Sequence, residues 1–148
     1  MKQIVYGRGG PLLQFADEKI LSNDKFPEDT MVFGLVEGSH IHGVCVFTDY
    51  RETTINMHVA GAEKGWITRD FIRACFHYVF NELRCHTALG LVRTDNQDAL
   101  LFDTKLGFKV RGTIPKGDYD GCDFYLMAMT KDECKWLKKA MTGKEQKW

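Results

Sequence analysis

The sequence predicts an α/β domain in which helices flank a mixed, mostly antiparallel sheet. Three strands follow one another with only short turns between them, at residues 31–37, 40–48 and 53–60, and strands joined this way pair antiparallel. Over residues 67–83 the apolar residues recur every third or fourth position instead of every second, and a buried-type strand follows at 86–92. A helical crossover of this kind places the strands at 53–60 and 86–92 side by side and parallel.

The other elements follow from local signals. Pro11 suits the first turn of a helix, Asp95-Asn96 is an N-cap pair, and Gly107 follows a helix as a C′ glycine does. The tail from Met141 is polar and is expected to be flexible. The remaining predicted elements are a strand at 3–6, helices at 11–21, 97–106 and 131–140, and strands at 109–113 and 123–129 around a polar turn at 115–121.

Length and composition predict one domain over residues 1–148 and exclude some classes of function. The 20 basic and 20 acidic residues cancel, whereas a nucleic-acid surface needs clustered Lys and Arg, so a nucleic-acid partner is not expected. No apolar run approaches the length of a membrane span, and a signal core is lacking, so the protein is predicted to be cytoplasmic. Five cysteines without a C-x-x-C pair predict free thiols.

A loop typical of a phosphate site joins the strand at 53–60 to the following helix. Gly61 and Gly65 allow the backbone to approach a ligand closely, and Lys64 and Arg69 add positive charge. Free N–H groups and the helix dipole favour a pyrophosphate there. Every strand–loop–helix connection has some free amides, so an ordinary connection remains an alternative.

A second pattern follows in the chain, Asn96-x-x-Ala99-x-x-Phe102-x-x-Lys105-Leu106-Gly107-Phe108, which combines a cap, a short helix and a glycine stop. With the loop, it resembles the GNAT superfamily of N-acetyltransferases, where an Asn heads a helix that ends in a Lys/Arg-x-Gly-Phe run. The resemblance covers residues 31–129. It is closest to the branch that acetylates ribosomal proteins and antibiotics, and to small relatives carried by bacteriophages.

The resemblance implies a GNAT-like, strongly curved sheet that is split between the central parallel strands. Acetyl-CoA would lie in that split as co-substrate, with its pantetheine paired against the strand edge at Val59 and Ala60. Residues 53–113 would form the acetyl-CoA-binding core, residues 1–30 would lie on the acceptor side, and residues 141–148 would be a flexible tail.

The family's loop, Gln/Arg-x-x-Gly-x-Gly/Ala, puts Lys64 at the basic position. Ile67 and Arg69 then stand where small residues are usual, which leaves the amide donors open among residues 64–69. Trp66 either packs beneath the loop or covers the cofactor. The implied acetyl-CoA contacts are Val59, Ala60, Lys64, Gly65, Trp66, Ile67, Thr68, Arg69, Asn96, Phe102 and Lys105.

Acyl transfer to an amine needs a base, a donor to the oxyanion and a group that steadies the leaving thiolate. His58 is the candidate base because it lies on the strand that lines the split and titrates near neutrality; a histidine satisfied on the sheet face is the alternative. Asn56, through a held water, and Glu52 are the other candidates. The Val59 or Ala60 N–H is the candidate oxyanion donor.

In much of the family a tyrosine in the second helix attends the leaving thiolate. Alignment on Leu106-Gly107-Phe108 puts Asp103 at that position, and a carboxylate is a poor replacement for a phenol at neutral pH. Two alternatives stay open: the thiolate leaves unprotonated, steadied by the helix N-terminus and Asn96, or Tyr125 reaches the site.

His40 and His42 share one strand face, a spacing used in metal sites. No third ligand is apparent in the sequence, so no metal is expected.

The predicted function is acetyl-CoA-dependent N-acetyl transfer to a primary amine of a protein, peptide or small molecule. The acceptor would enter between residues 11–30 and the turn at 115–121. The alternative is a catalytically silent GNAT-fold module that binds a partner with or without CoA. Monomer and homodimer are both left open.

Overall fold

Seven strands form one sheet in the computed structural model, which describes residues 1–140. Helices cover both faces of the sheet. The elements in chain order are β1 (Gln3–Arg8), α1 (Gly10–Ile20), β2 (Met31–Glu37), β3 (His40–Thr48), β4 (Thr54–Gly61), α2 (Arg69–His77), β5 (Thr87–Arg93), α3 (Gln97–Leu106), β6 (Lys109–Ile114), β7 (Phe124–Thr130) and α4 (Lys135–Ala140).

The strand order is β1-β2-β3-β4-β5-β7-β6. The first four strands form an antiparallel meander, β4 and β5 are parallel, and β7 pairs antiparallel with both β5 and β6. The predicted mixed, mostly antiparallel sheet with one central parallel pair is therefore confirmed.

The parallel pair separates before either strand ends. Residues 54–56 of β4 pair with residues 87–89 of β5, but β4 continues to Gly61 and β5 to Arg93. Both strands keep pairing with their outer neighbours along this stretch. The sheet thus has a split between the second halves of β4 and β5, as the resemblance implies.

Alternation along β4 divides its side chains between two hydrophobic clusters. Ile55 and Met57 are buried in the larger cluster, beneath α2, α3 and α4, and Val59 packs against it. Ala60 packs instead against the smaller cluster beneath α1. The split therefore has one face towards α2 and α3 and the other towards α1.

Two predicted helices differ at their ends. The helix predicted from residue 67 begins at Arg69, because the Thr68 side chain caps it by accepting a hydrogen bond from the Phe71 N–H at 3.2 Å, and it ends in a π-helical turn at Tyr78–Glu82. The helix predicted over 131–140 starts as a 3-10 turn with a Thr130–Glu133 capping box, and Cys134 is extended before α4 begins. The predicted tail at 141–148 lies outside the described residues.

None of the five cysteines forms a disulfide within the described residues, and four of them are buried. Within residues 1–140, no helix has both the length and the hydropathy that a membrane span requires.

Candidate functional site

The loop after β4 is anchored by Trp66. The indole is 7% exposed and lies against Gly43 of β3 and Gly61 of β4, where even one added methyl group would overlap the ring. It also contacts Phe71 of α2, with the ring centroids 5.5 Å apart. Of the two roles that the sequence left open, the structure places Trp66 beneath the loop, in the core.

The N-terminus of α2 presents unpaired amides to solvent. The N–H groups of Ile67, Thr68 and Arg69 donate to no other group within the described part of the chain. Gly65 has a φ of +71°, where a side chain would be strained, and Lys64 is exposed beside it. These unpaired amides and the exposed Lys64 fit the predicted anion cradle, which stays a prediction.

The edge of β4 presents alternate residues to the split. The Thr53 carbonyl accepts from the His86 N–H at 2.7 Å, just before β5, and the Met57 carbonyl points towards Gly90 of β5. By the same alternation Val59 directs its N–H and carbonyl into the split, whereas those of Ala60 point towards β3. Of the two candidate oxyanion donors, only the Val59 N–H faces the site.

Helix α3 runs from the mouth of the split back along its α2 side. Asn96 caps it, its Oδ1 accepting from the Ala99 N–H at 3.1 Å, and Gly107 ends it with a φ of 117°. Phe102 packs against the larger cluster. Lys105 is exposed in the last turn, where its carbonyl accepts from Lys135, roughly 13 Å along the axis from Asn96.

Asp103 reaches the floor of the split. A Cβ on Gly90 would lie 3.8 Å from Asp103 Oδ2 and 3.7 Å from the Met57 carbonyl oxygen. Among the described residues the carboxyl has no hydrogen-bond or ion-pair partner. Burial raises its pKa to about 6. Asp103 therefore stays mostly ionised at pH 7, as the sequence indicates, but the raised pKa leaves a larger protonated fraction than an ordinary aspartate has, from which a proton can be donated.

His58 lies on the other face of the sheet, towards α1. Its Nε2 is 2.8 Å from Thr48 Oγ1, and its ring contacts Phe26 with a centroid separation of 5.4 Å. Burial lowers the pKa of His58, although the nearby Asp49 carboxylate opposes that shift. The imidazole is therefore neutral at pH 7 and able to accept a proton, but Phe26 covers it.

The other two candidate bases differ in position. Asn56 stands where the split begins, and its side-chain amide donates to Asp49 Oδ2 at 3.0 Å. Glu52 is exposed in the turn before β4, with a φ of 64°. That turn lies at the paired end of β4, roughly 16 Å from Val59 at the rise of a strand, so the structure does not bring Glu52 to the split.

A charge cluster missed by the sequence argument ties the turn at 115–121 to the end of β5. The Arg93 guanidinium donates to Asp118 at 2.6 Å, to Asp120 at 2.9 Å and to Asp95 at 3.0 Å. These hydrogen bonds raise the pKa of Arg93 well above its ordinary range. An open depression of about 470 Å³ at the head of α3 is lined by Arg93, Asp95, Asn96, Gln97 and Asp98.

No protein-family model matches the sequence, and no curated protein matches it. Several solved structures do match the fold of this chain. A variant of the spermidine N-acetyltransferase SpeG from Vibrio cholerae has a TM-score of 0.73 at 14% identity, covering 93% of this chain and 98% of that one. Ard1 from Thermoplasma volcanium has a TM-score of 0.59 at 18% identity, covering 86% and 97%. The chain has the GNAT fold.

The ribosomal-protein-S5-alanine acetyltransferase of Vibrio fischeri shares the GNAT fold too, with a TM-score of 0.59 at 17% identity over 71% of this chain and 63% of that one. The residues present fit acetyl-CoA, which the GNAT fold implies. The split leaves the Val59 edge unpaired, and three amides at the α2 N-terminus have no partner among the described residues. The individual contacts predicted for the cofactor stay predictions.

Proposed function

We propose that this protein is an acetyl-CoA-dependent N-acetyltransferase that acts on a primary amine. One observation carries the proposal: the unpaired edge of β4 at Val59 leads directly to the unpaired amides at the α2 N-terminus. An extended pantetheine needs the first and a pyrophosphate needs the second. The structural neighbours, which are named for acetylation of spermidine and of a ribosomal-protein alanine, support the same chemistry.

Acetyl-CoA supplies a thioester to the acceptor amine, so a C–N bond forms and the C–S bond breaks. His58, neutral at pH 7, would take the proton from the amine, directly or through a water, on the α1 side of the sheet. Asp103 would give a proton to the leaving sulfur on the α3 side. The Val59 N–H would donate to the carbonyl oxygen between them. In this proposal the base and the acid would approach the thioester from opposite faces of the split.

The acceptor would approach from the α1 side, between residues 11–30 and the turn at 115–121. The turn and the adjacent head of α3 carry several carboxylates, with Arg93 among them. Carboxylates attract a protonated amine before it loses its proton. Proteins, peptides and small molecules with a cationic amine are the acceptor classes that this surface suits.

Gly90→Ala tests the split as the cofactor site. The added Cβ meets its neighbours at 3.7 and 3.8 Å, which is ordinary contact, so the fold should tolerate it. It would nevertheless occupy the gap between the Met57 carbonyl and Asp103. We expect acetyl-CoA to raise the melting temperature of the native protein and to raise that of Gly90→Ala much less, as measured by thermal denaturation with and without millimolar acetyl-CoA.

Gly112→Ala is a matched control, because a Cβ there meets only Leu126, at 3.9 Å, and β6 is separated from the split by β5 and β7. An equal acetyl-CoA shift in all three proteins would place the cofactor outside the split. No shift in the native protein, together with no thiol release from acetyl-CoA with any amine in a panel, would contradict the proposed activity. A native shift that Gly90→Ala abolishes, without turnover, would support the silent binding module instead.

His58→Gln tests the base. The amide can still bond to Thr48, so the fold is retained, but it accepts no proton at neutral pH. We expect kcat to fall by about 10²-fold or more with the KM for acetyl-CoA little changed. In the native protein the rate should fall only once the pH drops below the ordinary pKa of histidine, because the lowered pKa of His58 keeps its imidazole neutral down to that range. His86→Gln, an exposed histidine outside the split, is the control; a native-like rate in His58→Gln would remove His58 from the mechanism.

A further inference from the structure

Two histidines and a glutamate converge beside the loop after β4. His42 Nδ1 lies 2.6 Å from Glu63 Oε1, and His40 Nε2 lies 3.6 Å from the same oxygen. The three ligand atoms all lie within 4.8 Å of one another. Glu63 supplies a third potential ligand atom that is not apparent in the sequence, because it is separated from His42 by 21 residues and only the pairing of β3 with β4 brings it near.

A β-bulge re-aims His42 towards this cluster. Leu35 of β2 pairs with Gly43, and the next residue, Val36, pairs with Ile41, so His42 is an extra residue outside the ladder. Bulges of this kind turn a side chain away from the regular alternation and are common beside functional sites. The rings of His40 and His42 consequently meet edge to face, with centroids 4.5 Å apart.

Backbone contacts hold Glu63 opposite the two rings. The Ala62 N–H donates to the His42 carbonyl at 2.8 Å, and Gly61 pairs with Gly43 one step earlier. The His42 side chain is only 12% exposed, whereas those of His40 and Glu63 are 54% and 46% exposed. One ligand is thus fixed in place, and the other two can close on an ion that arrives from solvent.

Glu37 completes the arrangement from the second side of His42. Its Oε1 lies 3.0 Å from His42 Nε2, so it can accept the Nε2–H and leave Nδ1 as the ligand atom. A carboxylate in this position orients a metal-bound imidazole and increases its basicity. Glu37 therefore holds one nitrogen of His42, while the His40 imidazole and the Glu63 carboxylate lie near the other nitrogen. Two imidazoles and one carboxylate match the ligand set of a three-residue zinc site.

We propose that His40, His42 and Glu63 bind a divalent transition-metal ion of the zinc type, with water completing the coordination. Ligand atoms about 2.0–2.2 Å from the ion lie about 3.4 Å apart in a tetrahedral site. The 3.6 Å separation already fits, and the 2.6 Å pair would open slightly. Imidazole ligands select zinc-like ions over Mg²⁺ or Ca²⁺. The ion would tie the start of the loop after β4 to the β2–β3 hairpin.

The test is titration of tag-free, reduced protein with Zn²⁺ by calorimetry, in a Cys122→Ser background that removes the one cysteine that is not buried. We expect one equivalent to bind, and the melting temperature to rise with Zn²⁺ but not with Mg²⁺. His40→Gln and Glu63→Gln should each weaken binding by about tenfold or more, while His86→Gln, an exposed histidine outside the cluster, should bind as the native protein does.

Circular dichroism of each variant checks that the fold is kept. Two results would overturn the proposal: no stoichiometric binding to the native protein, or equal affinity in His40→Gln, Glu63→Gln and His86→Gln. A fall in melting temperature of Glu63→Gln in the absence of metal, with no metal binding in the native protein, would show that the cluster serves only as ion pairs between His42 and its two carboxylates.

Discussion

Replacement of Asp103 by Asn should make the protein more stable at pH 7.5 and slower as an enzyme. The carboxyl is desolvated at the floor of the split and has no partner among the described residues, and its pKa rises from the ordinary 3.8 to about 6. A shift of about two units corresponds to about 3 kcal/mol of cost for holding the charge in the folded state. The amide carries no charge, so Asp103→Asn should recover up to about that amount.

The sign of the pH dependence follows from the direction of this shift. The folded protein binds the proton more tightly than the unfolded chain does, so Asp103 costs nothing well below pH 3.8, where both states are protonated. The cost grows as the pH rises towards 6 and is complete above it. Urea denaturation at several pH values should therefore show native protein and Asp103→Asn converging below pH 3.8 and diverging above pH 6.

Turnover should fall in Asp103→Asn, although its stability should rise. Loss of a proton donor to the leaving sulfur costs about 10²–10⁴-fold in kcat, with little change in the KM for acetyl-CoA. Asp132→Asn, an exposed carboxylate in the 3-10 turn after β7, is the control and should change neither property appreciably. If Asp103→Asn were as active as the native protein, the thiolate would leave without help from this residue, the first alternative that the sequence left open.

Replacement of Trp66 by Ala should be among the most destabilising substitutions in the described chain. The buried indole fills the space above Gly43 and Gly61, whose missing side chains make room for it, and the cavity left behind would cost about 3–5 kcal/mol. The loop after β4 would lose its anchor, so the amides of residues 67–69 would no longer be held in place. Acetyl-CoA affinity should fall by more than about tenfold, as measured by calorimetry at a temperature where the variant is folded.

Trp136→Ala separates loss of stability from loss of the cradle. Trp136 is half-buried on α4, where its indole N–H donates to the Leu106 carbonyl at 2.9 Å, far along the chain from the loop. This variant should also be destabilised but should bind acetyl-CoA normally while folded. Equal affinity in both tryptophan variants would show that Trp66 contributes only to the core.

The sequence predicted most of the sheet because its local signals agree with the tertiary structure. Strict alternation in residues 53–60 placed Ile55, Met57 and Val59 on one face, and they do face one cluster. Asn96 and Gly107 bound α3 as predicted. The predicted helix ends were less accurate. The capping hydrogen bond at Thr68 decides where α2 begins, whereas the helical spacing of apolar residues starts one residue before that position.

Long-range contacts determine the features of the site that the spacing of apolar residues cannot predict. Asp103 aligned with a tyrosine position and was interpreted as an ionised side chain; only its burial beside Gly90 raises its pKa to about 6. Glu52 was a reasonable candidate by proximity in the chain, but the turn places it at the wrong end of β4. Arg93 gave no signal, because two of its three aspartate partners, Asp118 and Asp120, become neighbours only through the β5–β7 pairing.

Residues 53–113 therefore show which features the sequence determines and which depend on the tertiary structure. The sequence by itself determined the crossover, the glycine stop and the parallel strand pair, since period, caps and turn residues act over a few neighbouring positions. Only the tertiary structure decided which groups lie at the split, namely the Val59 N–H, the α2 amides and Asp103, and that His58 lies on the α1 face against Phe26. Solvent exclusion and strand register set those environments, and both depend on residues distant in the chain.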